Sequence, residues 1–169
     1  MVRHVVKAII LILWACALWQ SWECRGLYAD GSVYLLEIIL ADGVYVADIG
    51  EPREHAIFVT QLPALLAIKL GVTDLHRLAQ LYSLGLFGVP TALYSLALMR
   101  AMRDGCVLAA TLVATAMIFQ TTSFFIIGES HTAYACAILA AVWLATASGV
   151  RAADGFVLVA VAVLASRTD

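Results

Sequence analysis

The chain has 169 residues, of which 63% are hydrophobic and only 13% charged, with a formal net charge of −2. A water-soluble domain is nearer half apolar and a quarter charged, so a mean hydropathy of +0.95 excludes an ordinary soluble fold and makes lipid the solvent for much of the chain. The slight acidity, with no basic stripe, argues against a nucleic-acid partner.

The first apolar run, 5–22, follows Arg3 and His4 and carries Lys7 near its start, where a long side chain can snorkel. Trp19 and Trp22 stand at its far end, as interfacial aromatics do. Ala15-Cys16-Ala17 also fits a small-x-small cleavage pattern, so a signal peptide is the rival reading; the apolar run continues past Ala17 and favours an uncleaved anchor. The segment 23–77 holds most of the charge and two apolar stretches, 32–40 and 56–70. The second is short of the roughly 20 residues a span needs, and it contains Gln61 and Pro63. Both are expected to form helices that lie in the membrane interface or pack on the bundle.

Further spans are expected at 78–99, 106–126, 132–147 and 155–165. In lipid every backbone polar group must be satisfied within the protein, which leaves helices or closed barrels. Barrel strands alternate polar and apolar residues, whereas this chain has long apolar blocks. The expected fold is therefore an all-α, polytopic transmembrane bundle of about five spans, with interfacial amphipathic helices in a 23–77 outer loop. It forms one integral membrane domain over 1–169. The last span is short and the chain stops just after it, so the domain is expected to be the N-terminal part of a larger module.

With the N-terminus inside, Arg3, Lys7, Arg100, Arg103 and Arg151 all lie on the cytoplasmic side, as the positive-inside rule prefers. Letting 56–70 cross would move the last three outside. In this topology ten of the twelve acids, Asp30 and Glu129 among them, lie on the opposite face. The expected location is the bacterial inner (plasma) membrane, with 23–77 extracytoplasmic. Cys16, Cys106 and Cys136 sit in apolar runs, and Cys24 lies alone in the polar segment. No Cys-x-x-Cys or zinc-type spacing occurs, so neither a zinc site nor a disulfide framework is expected.

Two short motifs hold chemistry. In Arg25-Gly26-Leu27-Tyr28-Ala29-Asp30-Gly31, Asp30 precedes an apolar helix. It fits a turn and helix cap, and it equally fits a general base or metal ligand held at the membrane surface. In Gly128-Glu129-Ser130-His131, an acid and an imidazole open a membrane helix. Capping by Ser130 and a dipole role for Glu129 are the plain reading. An ionisable group at membrane depth is also a functional candidate. Asp30 and Glu129, if they converge, would hold a divalent cation such as Mg²⁺ or Mn²⁺, or divide base and charge-stabilising roles. Arg25, Arg53, Arg77 and Arg167 are the arginines of this face and suit phosphate, in a substrate or in ordinary headgroups.

On these residues the layout resembles the GT-C type glycosyltransferases, polytopic enzymes that take a sugar from a lipid-phosphate carrier on the outer face. Tyr28-Ala29-Asp30-Gly31 resembles the acidic position that follows the family's first span. Arg53-Glu54-His55-Ala56 through Gln61-Leu62-Pro63 and Leu70-Gly71 resembles its surface helix, and Gly128-Glu129-Ser130-His131 its second outer loop. Gly31 stands where the family usually has the second acid of an Asp-Glu pair, and the family's further spans and soluble outer domain are not in this sequence. The resemblance implies catalytic roles for Asp30 and Glu129, substrate contacts from Arg25, Arg53, His131 and Arg167, and a polyprenyl-phosphate sugar donor within the membrane lipid. The alternatives are a multi-pass transporter subunit and a non-catalytic membrane assembly protein.

Overall fold

The computed structural model describes residues 2–28, 31–41, 43, 54–124, 129–147 and 152–165; the side chains at 54–57, 121–124, 129, 152–153 and 165 lie outside that description. The described chain is helical throughout: α1 (Val2–Trp22), a one-turn 3₁₀ helix (Arg25–Leu27), α2 (Gly31–Ala41), α3 (Glu54–Lys69), α4 (Leu75–Ala101), α5 (Gly105–Phe124), α6 (Glu129–Ala145) and α7 (Ala152–Ala165). The five apolar runs expected to span fall on α1, α4, α5, α6 and α7, and the two interfacial stretches fall on α2 and α3. Among the described residues, α1 and α4 are long and apolar enough to cross a membrane.

Local chemistry sets the boundaries. Asp74 caps α4, its carboxylate accepting from the amides of His76 at 2.9 Å and Arg77 at 3.4 Å. Asp104 does the same for α5, accepting from Cys106 at 2.8 Å and Val107 at 3.1 Å. Each cap satisfies amide donors that the helix itself leaves open. At the end of α3, Gly71 takes φ +82°. The amides of Gly71 and Val72 then reach back to the carbonyls of Ile68 and Ala67, a Schellman ending that reverses the chain into α4.

α4 is the spine. Of its apolar stretch 72% is buried, against 11% for α1, which places α1 at the rim. Its neighbours alternate in direction. Trp14 of α1 meets Ser95, and the Trp22 carbonyl meets Gln80, so α1 runs opposite to α4. His131 of α6 meets Tyr94, and Thr146 just after α6 meets Arg100, so α6 runs with α4. One apolar cluster gathers Val6, Leu13, Leu93, Leu98, Leu139 and Val161 around α4; a second joins α2, α3 and α4 through Leu35, Ile38, Leu65, Leu78 and Tyr82.

The outside of the bundle is apolar as well. Leu11, Trp19 and Trp22 of α1, Met117 of α5 and Phe156 of α7 are all exposed. A bundle with large apolar side chains on its outer surface suits a lipid solvent.

α3 packs along the first half of α4 as an antiparallel hairpin. Gly85 makes this possible: a Cβ there would overlap the Thr60 carbonyl oxygen and press on Pro63 at 3.3 Å. The hydroxyls on α4 are largely self-contained. Ser83, Thr91 and Ser95 donate to the carbonyls of Ala79, Phe87 and Thr91 at 2.7–2.8 Å.

At the far end of α4, Arg100 lies 3.3 Å from the Asp154 carboxylate, with side-chain exposures of 12% and 13%. Its guanidinium also stacks over the Trp143 ring at 4.7 Å and donates to Thr146 at 2.9 Å. The Trp143 indole donates to the same Asp154 oxygen at 2.8 Å. One acid thus ties α4, α6 and α7 together.

Candidate functional site

The segment that follows α1 is folded back onto α4. The amide of Glu23 donates to the Trp19 carbonyl and that of Cys24 to Ser21, which closes α1. Cys24 then takes the left-handed conformation, φ 53° and ψ 31°, and is the non-glycine residue with positive φ among those described. That turn sends the 3₁₀ helix against α4, where the Gly26 amide donates to Ser83 Oγ at 3.0 Å. Only glycine fits at position 26: a Cβ would stand 2.8 Å from the Ser83 Cα. Gly31, the first residue of α2, rests in turn on the Gly26 carbonyl. The chain on either side of positions 29 and 30 is therefore fixed to the start of α4.

Asp30, Arg53 and Arg167 lie outside the described residues, and so does the Asp30–Glu129 separation. Glu129 opens α6, but its side chain is likewise outside the description. Arg25 is half-buried in the 3₁₀ helix beside Gly26. His131 is buried at 2% exposure, in the bundle interior rather than at its mouth. Its ring lies 5.6 Å from that of Tyr94 and 5.9 Å from that of Phe119. Among the described residues its Nε2, the Tyr94 hydroxyl and the Thr132 hydroxyl lack hydrogen-bond partners. Ser83, which holds the Arg25 segment, and Tyr94, which holds His131, are separated by about 16 Å of α4 rise at 1.5 Å per residue. The fold thus sets these two predicted residues at different heights along one helix.

No protein-family model, curated protein or solved structure matches this chain.

Two clefts flank Trp22 at this end of the molecule. One, of about 350 Å³, has Leu18, Leu81 and Leu84 as walls and Arg77 with Gln80 at its lip. The Arg77 guanidinium lies 3.5 Å from Asp74, and both side chains are largely exposed. The other, of about 600 Å³, is lined by Trp22, Glu23, Cys24, Leu27, Leu75, His76 and Ala79. There the Cys24 thiol lies 3.8 Å from His76 Nδ1. Partial burial, and then the Glu23 carboxylate, push this thiol above its ordinary pKa.

Sequence reasoning missed two groupings. Cys24 with His76, and Arg100 with Asp154, join residues more than 50 positions apart, and only helix pairing brings them together. A local signal existed for one partner: a cysteine two residues after the tryptophan that ends the first apolar run, alone in a polar segment.

Proposed function

We propose that the chain is a GT-C type, glycosyltransferase-like membrane protein acting on a lipid-phosphate-linked sugar at the face where α4 begins. In this reading α1, α4, α5, α6 and α7 are five spans of an integral membrane protein of the bacterial plasma membrane. The alternating helix directions support it. So do Arg3 and Lys7 near the start of α1 and Arg100 and Arg103 at the end of α4, which lie at one end of this antiparallel pair, the end that the positive-inside rule would make cytoplasmic.

One observation carries the proposal. The segment after α1 is pinned by the Gly26–Ser83 hydrogen bond, and α2 is seated on it. Neighbouring segments held in this way are what a catalytic group at this point of the chain would need. Asp30 acts as the base that orients and deprotonates the acceptor. Glu129 assists, directly or through Mg²⁺ or Mn²⁺. Arg25, Arg53 and Arg167 balance the charge that develops on the departing phosphate, and His131 helps to position the acceptor.

Reconstituted full-length protein should transfer sugar from a polyprenyl-phosphate donor. Removing a general base costs about 10²–10⁴-fold in rate, so Asp30→Asn should fall by that order. Undiminished transfer by this variant overturns the assignment.

A second reading, a transporter subunit, draws on the buried groups of His131, Tyr94 and Thr132 that lack partners among the described residues. Ionisable groups facing the interior of a membrane bundle mark solute or proton paths. Proteoliposome flux abolished by His131→Ala would favour it; absence of flux in the parent protein removes it.

A further inference from the structure

Most hydroxyls inside this bundle are satisfied by their own helix. Ser83, Thr91, Ser95 and Thr111 each donate to the carbonyl one turn earlier, at 2.7–2.8 Å. The group around His131 differs. Tyr94 Oη, Thr115 Oγ1, His131 Nε2 and Thr132 Oγ1 are buried without a hydrogen-bond partner among the described residues. These residues are 0–3% exposed. Thr132 stands in the first turn of α6, where the helix has no carbonyl one turn earlier to offer.

The fold brings them to one place. The Tyr94 ring of α4 and the Phe119 ring of α5 lie 5.6 Å and 5.9 Å from the His131 ring of α6. Thr132 adjoins His131 in the chain, and Thr115 precedes Phe119 by one turn on the same side of α5. A buried polar atom with no partner bears the full cost of leaving water. A resident water molecule offsets that cost, and such waters bond about three otherwise unsatisfied groups each.

The chemistry of the set selects the ligand. The phenol and the threonine hydroxyls each donate and accept, and the imidazole nitrogen does one or the other according to its tautomer. Among the described residues no acid, lysine or arginine is buried with them. A cation would ask for acceptors alone and an anion for donors alone. A small neutral molecule that does both suits either tautomer.

We propose that Tyr94, His131 and Thr132, with Thr115 at the edge, form a closed internal water-binding site where α4, α5 and α6 meet. The water supplies His131 Nε2 with its partner and links the first turn of α6 to the second half of α4. The site depends on neither the sugar-transfer nor the flux reading, because resident water requires no passage through the bundle.

The test uses the full chain in lipid nanodiscs, with tyrosine, histidine, threonine and leucine labelled for NMR and water as the probe. At short mixing times magnetisation from water should reach the Tyr94 ring, the His131 ring and the Thr132 methyl. It should be absent at Leu98 and Leu139, which are buried in the same core. In the double variant Tyr94→Phe with Thr132→Val the signal at His131 should be lost. Tyr94 and Thr132 signals as weak as those of the two leucines overturn the proposal. So does a His131 signal that the double variant leaves intact, since other groups would then hold the water. If the double variant fails to fold, the parent protein decides through the contrast between Thr132 and the leucines.

Discussion

Replacing Asp154 with alanine removes the acceptor shared by Arg100 and Trp143, 3.3 Å and 2.8 Å away. Breaking one side of a buried ion pair costs about 3–5 kcal/mol, chiefly because the other charge is left uncompensated. Here each side chain keeps some exposure, 12% for Arg100 and 13% for Asp154, so the lower part of that range applies. Arg100 also retains Thr146 and the face of Trp143, which softens the loss further. The orphaned indole adds about 1 kcal/mol. The sum is a loss of about 3 kcal/mol for Asp154→Ala. Asp154→Asn keeps a neutral acceptor for the indole and should lose about half as much. The double variant Arg100→Met with Asp154→Leu should recover most of the loss, since a matched apolar pair removes both desolvation penalties. Reversible unfolding in mixed micelles, followed by tryptophan fluorescence, measures all three. A loss below about 1 kcal/mol for Asp154→Ala, or a double variant no better than the single ones, would refute the reasoning.

Gly85→Leu should lift α3 off α4, because a side chain there meets the Thr60 backbone rather than a movable side chain end. Protease susceptibility should rise in α3 while α1 and α4 stay protected. Equal protection in both proteins would show that α3 is not held at Gly85. For Cys24, burial and Glu23 hold the thiol protonated to higher pH than usual. Its maleimide labelling curve should therefore lie at higher pH than that of the same residue in the unfolded chain, and Glu23→Gln should move it part of the way back. A curve displaced to lower pH contradicts that electrostatic account.

The positions of the helices were legible because a long apolar run has to satisfy its own backbone polar groups, so run and helix coincide. The finer starts were legible only in hindsight. α4 and α5 begin at Leu75 and Gly105, each one residue after an aspartate that caps it, rather than where the apolar run begins. The sequence admits both the interface and the bundle as the setting of α3, because the choice rests on the Thr60–Gly85 approach between two helices, which no one-dimensional pattern records. His131 shows the same limit. Its place at the start of an apolar helix was visible, but its enclosure by Tyr94 and Phe119 depends on how α4, α5 and α6 meet. Of the predicted site, Arg25 and His131 have described side chains. The Arg25 segment takes its fixed place from Gly26, whose missing side chain has no distinctive spelling in the sequence.

The serines of α4 bear on how the molecule is put together. Ser83 and Ser95 each give their proton to a carbonyl one turn earlier and still accept, from the Gly26 amide and the Trp14 indole respectively. Serine hydroxyls that already bond within their own helix do not oblige it to find a companion first. The same oxygens then offer spare lone pairs to whichever segment arrives later. α4 can thus be the first element to settle, with α1 latching on afterwards through contacts that asked nothing of α4 beforehand.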